Sequence, residues 1–381
     1  MKQVMAVFGL MMAFSMGLAT VIASAGGGNG PGGGSNPEQE RNQAMARAEE
    51  CGMFAKMAQS GGNFSGKYMN FRYANDTIVD YRVGGSQQRL FSSVGPEPFN
   101  FSGFGTDGAV AYVNGTAAMF KAHNNPSTAL QCVKTGDAQV KLCFELAPGL
   151  GTQPVNGSHN IRITGSPEAV LVVENGNCTV NGSRIEVAFG PGDGSATVRA
   201  MTETRTESRL QLQDMVASGR LAGEIDIVAV NNSHTESSVG YNHSTSMTVR
   251  NAGKGKVTLA VKAEYSEGKL FRIGMDRDTT GTGSAGELQA RLDGKSMKRV
   301  SVQELERLQE QKGAQAAYCV EFNDRGCDIL AYVPHFSEHE LTVEKVSPAG
   351  TQTASGIEIA LAVLVAAIVA IVLVVAVGRR A

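Results

Sequence analysis

The spacing of apolar residues changes along the chain, and its first segment has the period of a helix. Asn36-Pro37-Glu38 combines a capping side chain, a first-turn proline and an acidic first turn. Small apolar residues then recur at helical spacing, and the segment ends at the Gly61-Gly62 pair. The pattern predicts an N-terminal helix that begins at Pro37 and continues towards Gly61.

Residues 64–200 have the alternating pattern of short strands. Runs rich in Val, Ile, Phe and Tyr are separated by Gly, Pro, Asn and Asp, which is typical of antiparallel sheets joined by tight turns. Together with the preceding helix, this stretch predicts a β-rich, sandwich-like domain over residues 37–202. The clearest predicted strands are Thr77–Val83, Val140–Leu146, Ala169–Val173 and Arg184–Phe189.

Residues 203–347 mix strand-like runs with two helical segments. One predicted helix covers residues 204–218, and a second opens with the capping box Ser301-Val302-Gln303-Glu304. We therefore expect a mainly β chain of class α+β, with this second domain next to a membrane. The strand-like runs in it are Glu224–Val230, Met247–Arg250, Lys256–Glu264, Lys269–Met275, Ala317–Phe322, Asp328–Val333 and Glu340–Val346.

Both termini carry apolar segments that predict a membrane location. Residues 1–25 resemble a secretory signal peptide, with Lys2 before an apolar stretch and Ala23-Ser24-Ala25 as the cleavage pattern; an uncleaved anchor helix is the alternative. A Gly-rich linker follows over residues 26–36. A second linker, 348–356, precedes a predicted transmembrane helix at 357–378 and a cytoplasmic tail at 379–381. The chain is thus expected to be a single-pass cell-membrane protein with an extracellular ectodomain.

Composition narrows the range of partners. Lys and Arg number 34 and Asp and Glu 36, which gives a formal net charge of −2 and argues against nucleic-acid binding. We expect contact with membrane lipid through the C-terminal helix, and with envelope or cell-surface partners outside the cell. Alanines 362, 366 and 370 form a small-residue face on that helix, which allows a homo-oligomer.

All six cysteines lie between the two terminal apolar segments, where an even number suggests disulfides. A hairpin turning at Asp137-Ala138 would place Cys132 opposite Cys143. Cys319 and Cys327 flank a turn-like Asn323–Gly326 segment in a similar way. Six cysteines permit about fifteen sets of disulfides, and these two pairings are inferred only from the sequence around each cysteine. The remaining two would join the N-terminal helix to the sheet, namely Cys51 and Cys178.

Acceptor sequences for N-linked sugars occur nine times between residues 63 and 242. This exceeds the roughly three that chance predicts from the Asn and Ser/Thr content. An Asn/Ser-rich loop composition is the alternative explanation. The pattern predicts a glycosylated outer surface, with acceptors Asn63, Asn75, Asn100, Asn114, Asn156, Asn177, Asn181, Asn231 and Asn242.

One acidic loop resembles the oxygen spacing of a calcium-binding loop. Asp276, Asp278 and Thr280 occupy alternate positions, a glycine follows, and Glu287 stands at the twelfth position. Thr280 replaces the usual acid or amide, and a polar surface loop is the alternative. Calcium is thus the one candidate metal ion, and the sequence predicts no other cofactor.

The segment His335-Phe336-Ser337 resembles the self-cleavage site of some membrane-proximal autoproteolytic domains. In that chemistry Ser337 would attack the carbonyl of Phe336 while His335 accepts the hydroxyl proton. His335 and His339 with Glu338 also match the inverted zinc-peptidase motif. That motif needs a helix, however, and the flanking residues alternate with the period of a strand.

The longer segment Val333-Pro334-His335-Phe336-Ser337-Glu338-His339 is similar to the ending of archaeal single-pass cell-surface proteins, before their C-terminal membrane anchor. The resemblance implies a surface protein in which this element is structural. The sequence therefore predicts a type I cell-surface glycoprotein with an envelope, adhesive or binding role and no enzymatic activity. The alternative is a membrane-tethered self-cleaving or hydrolytic ectodomain that uses His335 and Ser337.

Overall fold

The computed structural model describes residues 36–201, 207–231, 233–265, 267–311, 315–335 and 337–346 of the 381-residue chain. These residues form a mainly β protein, which confirms the mainly β part of the predicted class. The predicted signal peptide, the linker at 348–356 and the transmembrane segment at 357–378 lie outside them. Within the described ranges, no helix is long and apolar enough to cross a membrane.

In the part of the chain that the structure describes, four α-helices and one 3-10 turn accompany the strands. Asn36 caps the first helix, because its side-chain oxygen accepts a hydrogen bond from the Glu38 amide at 3.1 Å. The predicted extension towards Gly61 is wrong, since the backbone turns at Gly52 with a left-handed φ of 74°. The helices are α1 (Pro37–Glu50), α2 (Glu207–Ala217), α3 (Arg277–Thr280) and α4 (Val302–Gln309), and the 3-10 turn is Ala285–Glu287.

The first sixteen strands form two eight-stranded sheets. They are β1 (Ala58–Ser60), β2 (Asn63–Ser65), β3 (Met69–Ala74), β4 (Thr77–Val83), β5 (Gln88–Glu97), β6 (Phe101–Asp107), β7 (Val110–Gly115), β8 (Ala118–His123), β9 (Ala129–Lys134), β10 (Val140–Leu146), β11 (Gly151–Pro154), β12 (Ile161–Thr164), β13 (Glu168–Glu174), β14 (Gly176–Asn181), β15 (Arg184–Phe189) and β16 (Gly194–Met201).

These two sheets, called here the first sheet pair, pack face to face. Sheet A has the order β1-β2-β3-β4-β5-β10-β15-β14, and sheet B has the order β11-β12-β13-β16-β9-β8-β7-β6. Alternate residues of both sheets point into one apolar core, in which Tyr81 and Phe91 of sheet A and Phe120 of sheet B are almost fully buried. Sheet A ends at β1 and β14, and sheet B at β11 and β6.

The remaining strands form a second sheet pair. Sheet C has the order β18-β17-β21-β26-β25-β24, and sheet D the order β19-β20-β27-β22-β23. The strands are β17 (Leu221–Val230), β18 (Ser233–Gly240), β19 (Ser246–Gly253), β20 (Lys256–Lys262), β21 (Lys269–Asp276), β22 (Leu288–Leu292), β23 (Lys295–Ser296), β24 (Lys298–Arg299), β25 (Ala317–Phe322), β26 (Gly326–Val333) and β27 (Glu338–Lys345).

A further apolar cluster joins the two sheet pairs. Val170 of sheet B packs in this cluster with Met215 of α2 and with Leu270 of sheet C. One face of sheet C packs against sheet D, and part of its other face packs against sheet B and α2. Side chains on that second face are therefore removed from solvent, including the charged ones described below.

Candidate functional site

The predicted sugar acceptors lie mostly at the surface of the first sheet pair. Seven of the nine belong to it, and six of these are exposed, while Asn114 is half-buried. The strand period accounts for this placement: on β2 the core residue Phe64 is buried and its neighbour Asn63 is exposed. The six exposed acceptors are Asn63, Asn75, Asn100, Asn156, Asn177 and Asn181.

The two acceptors of the second sheet pair differ in exposure. Asn231 is exposed, and its side-chain amide donates a hydrogen bond to the Glu40 carboxylate at 3.2 Å. Asn242 is only 7% exposed. Its side-chain oxygen accepts hydrogen bonds from Thr245 Oγ1 at 2.6 Å and from Ser244 Oγ at 3.2 Å. The folded chain therefore has no room for a sugar at Asn242.

The strand β14 carries two acceptors on one face. It pairs with β15 in unbroken antiparallel register, so alternate side chains point to opposite faces of sheet A. Cys178 packs against the core, whereas Asn177 and Asn181 are both exposed. This outermost strand of sheet A thus presents two acceptor amides to solvent.

All six cysteines are described and all are free thiols. The predicted hairpin between Cys132 and Cys143 is wrong, because β9 lies in sheet B and β10 in sheet A. Cys132 is buried in the core of the first sheet pair. Cys143 lies on the face of β10 that points away from this core, where its sulfur accepts a hydrogen bond from Arg184 at 3.0 Å.

The other two expected pairings also do not form. Cys319 on β25 faces Leu330 across the ladder, whereas Cys327 on β26 faces Phe322. The two sulfurs therefore project from opposite faces of sheet C, one into the joining cluster and one into the second core. Cys51, at the end of α1, packs with Met53 and Phe54, while Cys178 packs on the first core.

The acidic loop does not gather its oxygens around one point. The Asp276 carboxylate caps α3 and contacts Arg47 at 2.8 Å, and Asp278 contacts the same guanidinium at 3.3 Å. Glu287 instead accepts a hydrogen bond from Thr282 Oγ1 at 2.8 Å. The Thr280 hydroxyl donates to backbone carbonyls. Within the described ranges, no group of three or more His, Cys, Asp or Glu could hold a metal ion.

The proposed self-cleavage residues lie in the connection between β26 and β27. His335 and Ser337 are both exposed, and Phe336 lies outside the described residues. Among the described side chains, no hydrogen bond joins Ser337 to either histidine. Glu338 and His339 begin β27, so the zinc-peptidase motif is not on a helix here.

His339 has a structural environment in which both ring nitrogens face oxygen atoms. Nδ1 lies 2.7 Å from Asp293 Oδ2, and Nε2 lies 3.0 Å from the carbonyl oxygen of His335. Burial tends to raise the pKa of Asp293. The Glu340 amide and the His339 ring oppose burial and lower that pKa overall. These contacts tie the β22–β23 turn to the start of β27.

A buried charge cluster, which sequence reasoning missed, lies where sheet C meets sheet B. Arg199 of β16 reaches Glu224 of β17 with two hydrogen bonds, of 2.6 and 3.0 Å. Arg272 of β21 contacts Asp226 at 2.9 Å, Glu224 at 3.5 Å and Asp328 at 2.6 Å. The five side chains are between 3% and 14% exposed.

The electrostatics of this cluster depend on both arginines. Burial by itself would raise the pKa of Glu224, but Arg199 and Arg272 lower it to about 2. The pKa of Asp226 is raised, first by burial and then by its neighbours Asp328 and Glu224, against the effect of Arg272. The Arg199–Glu224 pair therefore connects sheet B to sheet C, and Arg272 stabilises the same Glu224 carboxylate.

Two features of the sequence point to the cluster in retrospect. Glu224 and Asp226 are two residues apart in an otherwise apolar strand, and Arg272 interrupts a second apolar strand. Gly274 lies between Asp226 and Asp328 in the ladder, where a Cβ would collide with the Asp226 carboxylate. Charged residues in a strand usually indicate a solvent-exposed face, so the sequence alone does not show that a second sheet covers this one.

Comparison with known proteins gives no relative: no protein-family model matches the chain, and no curated protein matches it. The assignment of a function therefore depends on the chain's own surface. Its distinctive feature is the set of exposed acceptor amides on the first sheet pair. Asn amides in this sequence context can form an N-glycosidic bond to a saccharide, and the structure leaves six of them accessible there.

Proposed function

We propose that this chain is a glycosylated type I cell-surface protein with an envelope, adhesive or binding role. In this proposal the first sheet pair is a distal, sandwich-like domain, and the second is a domain next to the membrane. Residues 357–378 anchor it. The proposal assigns no role to calcium, since the Asp276 and Asp278 carboxylates both contact the Arg47 guanidinium, at 2.8 and 3.3 Å.

The observation that carries the proposal is the exposure of the acceptors. Six of the seven on the first sheet pair are exposed, and this sheet pair would be the one farther from the anchor. The nine acceptor sequences also exceed the roughly three that chance predicts from the Asn and Ser/Thr content. The signal-like N-terminus and the apolar C-terminal segment agree with passage of the chain through a secretory membrane.

The second candidate is a self-cleaving ectodomain, and one observation favours it. His335 and Ser337 are both exposed, and they lie between the strands β26 and β27. After cleavage there, β27 would stay in sheet D through its pairing with β20 and β22. The two fragments would then remain associated at the membrane.

Amine labelling of intact host cells with a membrane-impermeant reagent tests the proposal. The tail 379–381 contains no lysine, so labelled lysines report the ectodomain alone. We expect labelling of the chain on intact cells at the level reached after lysis. Labelling that appears only after lysis would contradict a surface location.

The same labelled sample distinguishes the two candidates on a denaturing gel. The surface-glycoprotein account expects one species that contains the whole ectodomain. Two fragments divided at Phe336-Ser337, absent from the Ser337→Ala variant, would instead support self-cleavage.

A further inference from the structure

The outermost strands of a sheet expose unpaired backbone N–H and C=O groups, which can pair with another chain. Proteins block such edges with charged side chains, proline, bulges, short strands or a covering element. In the first sheet pair β1 has only three residues, and β11 ends in Pro154. Two longer edge strands remain, β6 and β14.

The strand β14 has none of these protections in its sequence. Its six residues, Gly176–Asn181, include no charge and no proline, and its pairing with β15 is free of bulges. Val180 on this strand is 39% exposed. An exposed, regular and uncharged edge of this kind promotes association between copies.

Exposed apolar residues coincide with sugar acceptors. Among the described residues, the exposed large hydrophobic side chains are Phe101, at 42%, and Val180. Phe101 opens the edge strand β6 and directly follows the acceptor Asn100. Val180 directly precedes the acceptor Asn181, and Asn177 lies three residues before it.

The edges of the second sheet pair have the usual protections, namely short charged strands, a register shift and a covering helix. The edge strands β23 and β24 have two residues each and contain Lys295, Lys298 and Arg299. The edge strand β19 has a register shift between Val249 and Asn251, and its Arg250 pairs with carboxylates of β27. Helix α1 packs along the last edge, β18.

We propose that sugars linked to Asn177 and Asn181 guard the β14 edge against pairing with a second copy of the chain. The two amides lie on the same face at the two ends of the strand, about 13 Å apart at the usual strand rise. A hydrated saccharide at each end prevents another strand from aligning along β14. This inference rests on the proposed glycosylation and specifies what two of the sugars do.

The test compares two double variants of the full chain, purified from host membranes in detergent. Asn177→Gln/Asn181→Gln removes the sugars of β14. The matched control Asn63→Gln/Asn156→Gln removes the same number of sugars beside the short β1 and the proline-ended β11. Light scattering gives the protein mass of each, and glycopeptide mass spectrometry gives sugar occupancy in the parent chain.

We expect the β14 variant to form larger assemblies than the parent, while the control keeps the parent's mass. Adding Val180→Lys to the β14 variant should restore the parent's mass, because a charge replaces the sugar as the guard. Equal masses in all variants would overturn the inference, and so would equal association of variant and control. If all acceptors of the parent chain carried no sugar, the proposed function itself would be overturned.

Discussion

The substitution Arg272→Met is expected to lower the free energy of unfolding by about 3–5 kcal/mol, the usual cost of breaking a buried ion pair by removing one partner. Arg272 contacts Glu224, Asp226 and Asp328, and its side chain is 8% exposed. Without its guanidinium, Asp226 and Asp328 would keep a buried charge or bind a proton. Either result destabilises the face of sheet C that packs against sheet B.

Urea unfolding of the detergent-solubilised full chain measures this effect. The chain has no Trp and eight Tyr, so tyrosine fluorescence is the suitable signal. Arg250→Met is the matched control, because Arg250 also contacts two carboxylates but is 48% exposed. We expect a loss of about 1 kcal/mol or less for this surface pair. If the two variants lost the same free energy of unfolding, the buried cluster would stabilise the fold no more than a surface ion pair does.

The substitution Lys134→Met is the second change with a large expected effect. The Lys134 side chain is fully buried, and its ammonium donates to the backbone carbonyls of Gly136, Gly190 and Gly192. It thereby joins the turn after β9 to the loop after β15. Each carbonyl left without a donor costs about 1–3 kcal/mol where water cannot replace it. We expect a total loss of about 3 kcal/mol, measured by the same urea unfolding.

Lys256→Met is the control for Lys134→Met, since Lys256 is 60% exposed and lies 3.7 Å from Glu344. Its loss should be small, because an exposed pair is hydrated before and after the change. If Lys134→Met behaved like Lys256→Met, water would be reaching the three carbonyls. The ammonium would then not be the link between the turn and the loop.

The local sequence pattern was sufficient to predict many of the strands and one helix. The observed β4, β10 and β15 have the bounds predicted from apolar runs between Gly, Asn and Asp. The second helix of the later segment begins where the capping box predicts, and Ser301 Oγ accepts a hydrogen bond from the Glu304 amide. These elements depend on residues close together in sequence, so a single sequence contains their signal.

Features that depend on distant residues could not be predicted in the same way. The Cys132–Cys143 hairpin was wrong because β9 and β10 enter different sheets, although their sequences resemble a hairpin. The polar strand β18 was missed because its residues have little apolar alternation. The charge cluster around Arg272 was missed because burial of its face results from sheet B, which is remote in sequence.

The candidate sugar surface was largely predictable, since the acceptor motif is local. The structure adds which acceptors are accessible. Asn242 matches the motif as well as Asn177 does, yet its side chain is buried and hydrogen-bonded within the turn before β19. Motif alone could not separate these two residues, because burial depends on the packing of the second sheet pair.

Glycopeptide mass spectrometry of the chain isolated from host membranes tests the central claim most directly. Saccharide is expected on the six exposed acceptors of the first sheet pair and absent from the buried Asn242, which serves as an internal control. Unmodified asparagine at all six positions would contradict the account of a glycosylated surface protein. The six positions are Asn63, Asn75, Asn100, Asn156, Asn177 and Asn181.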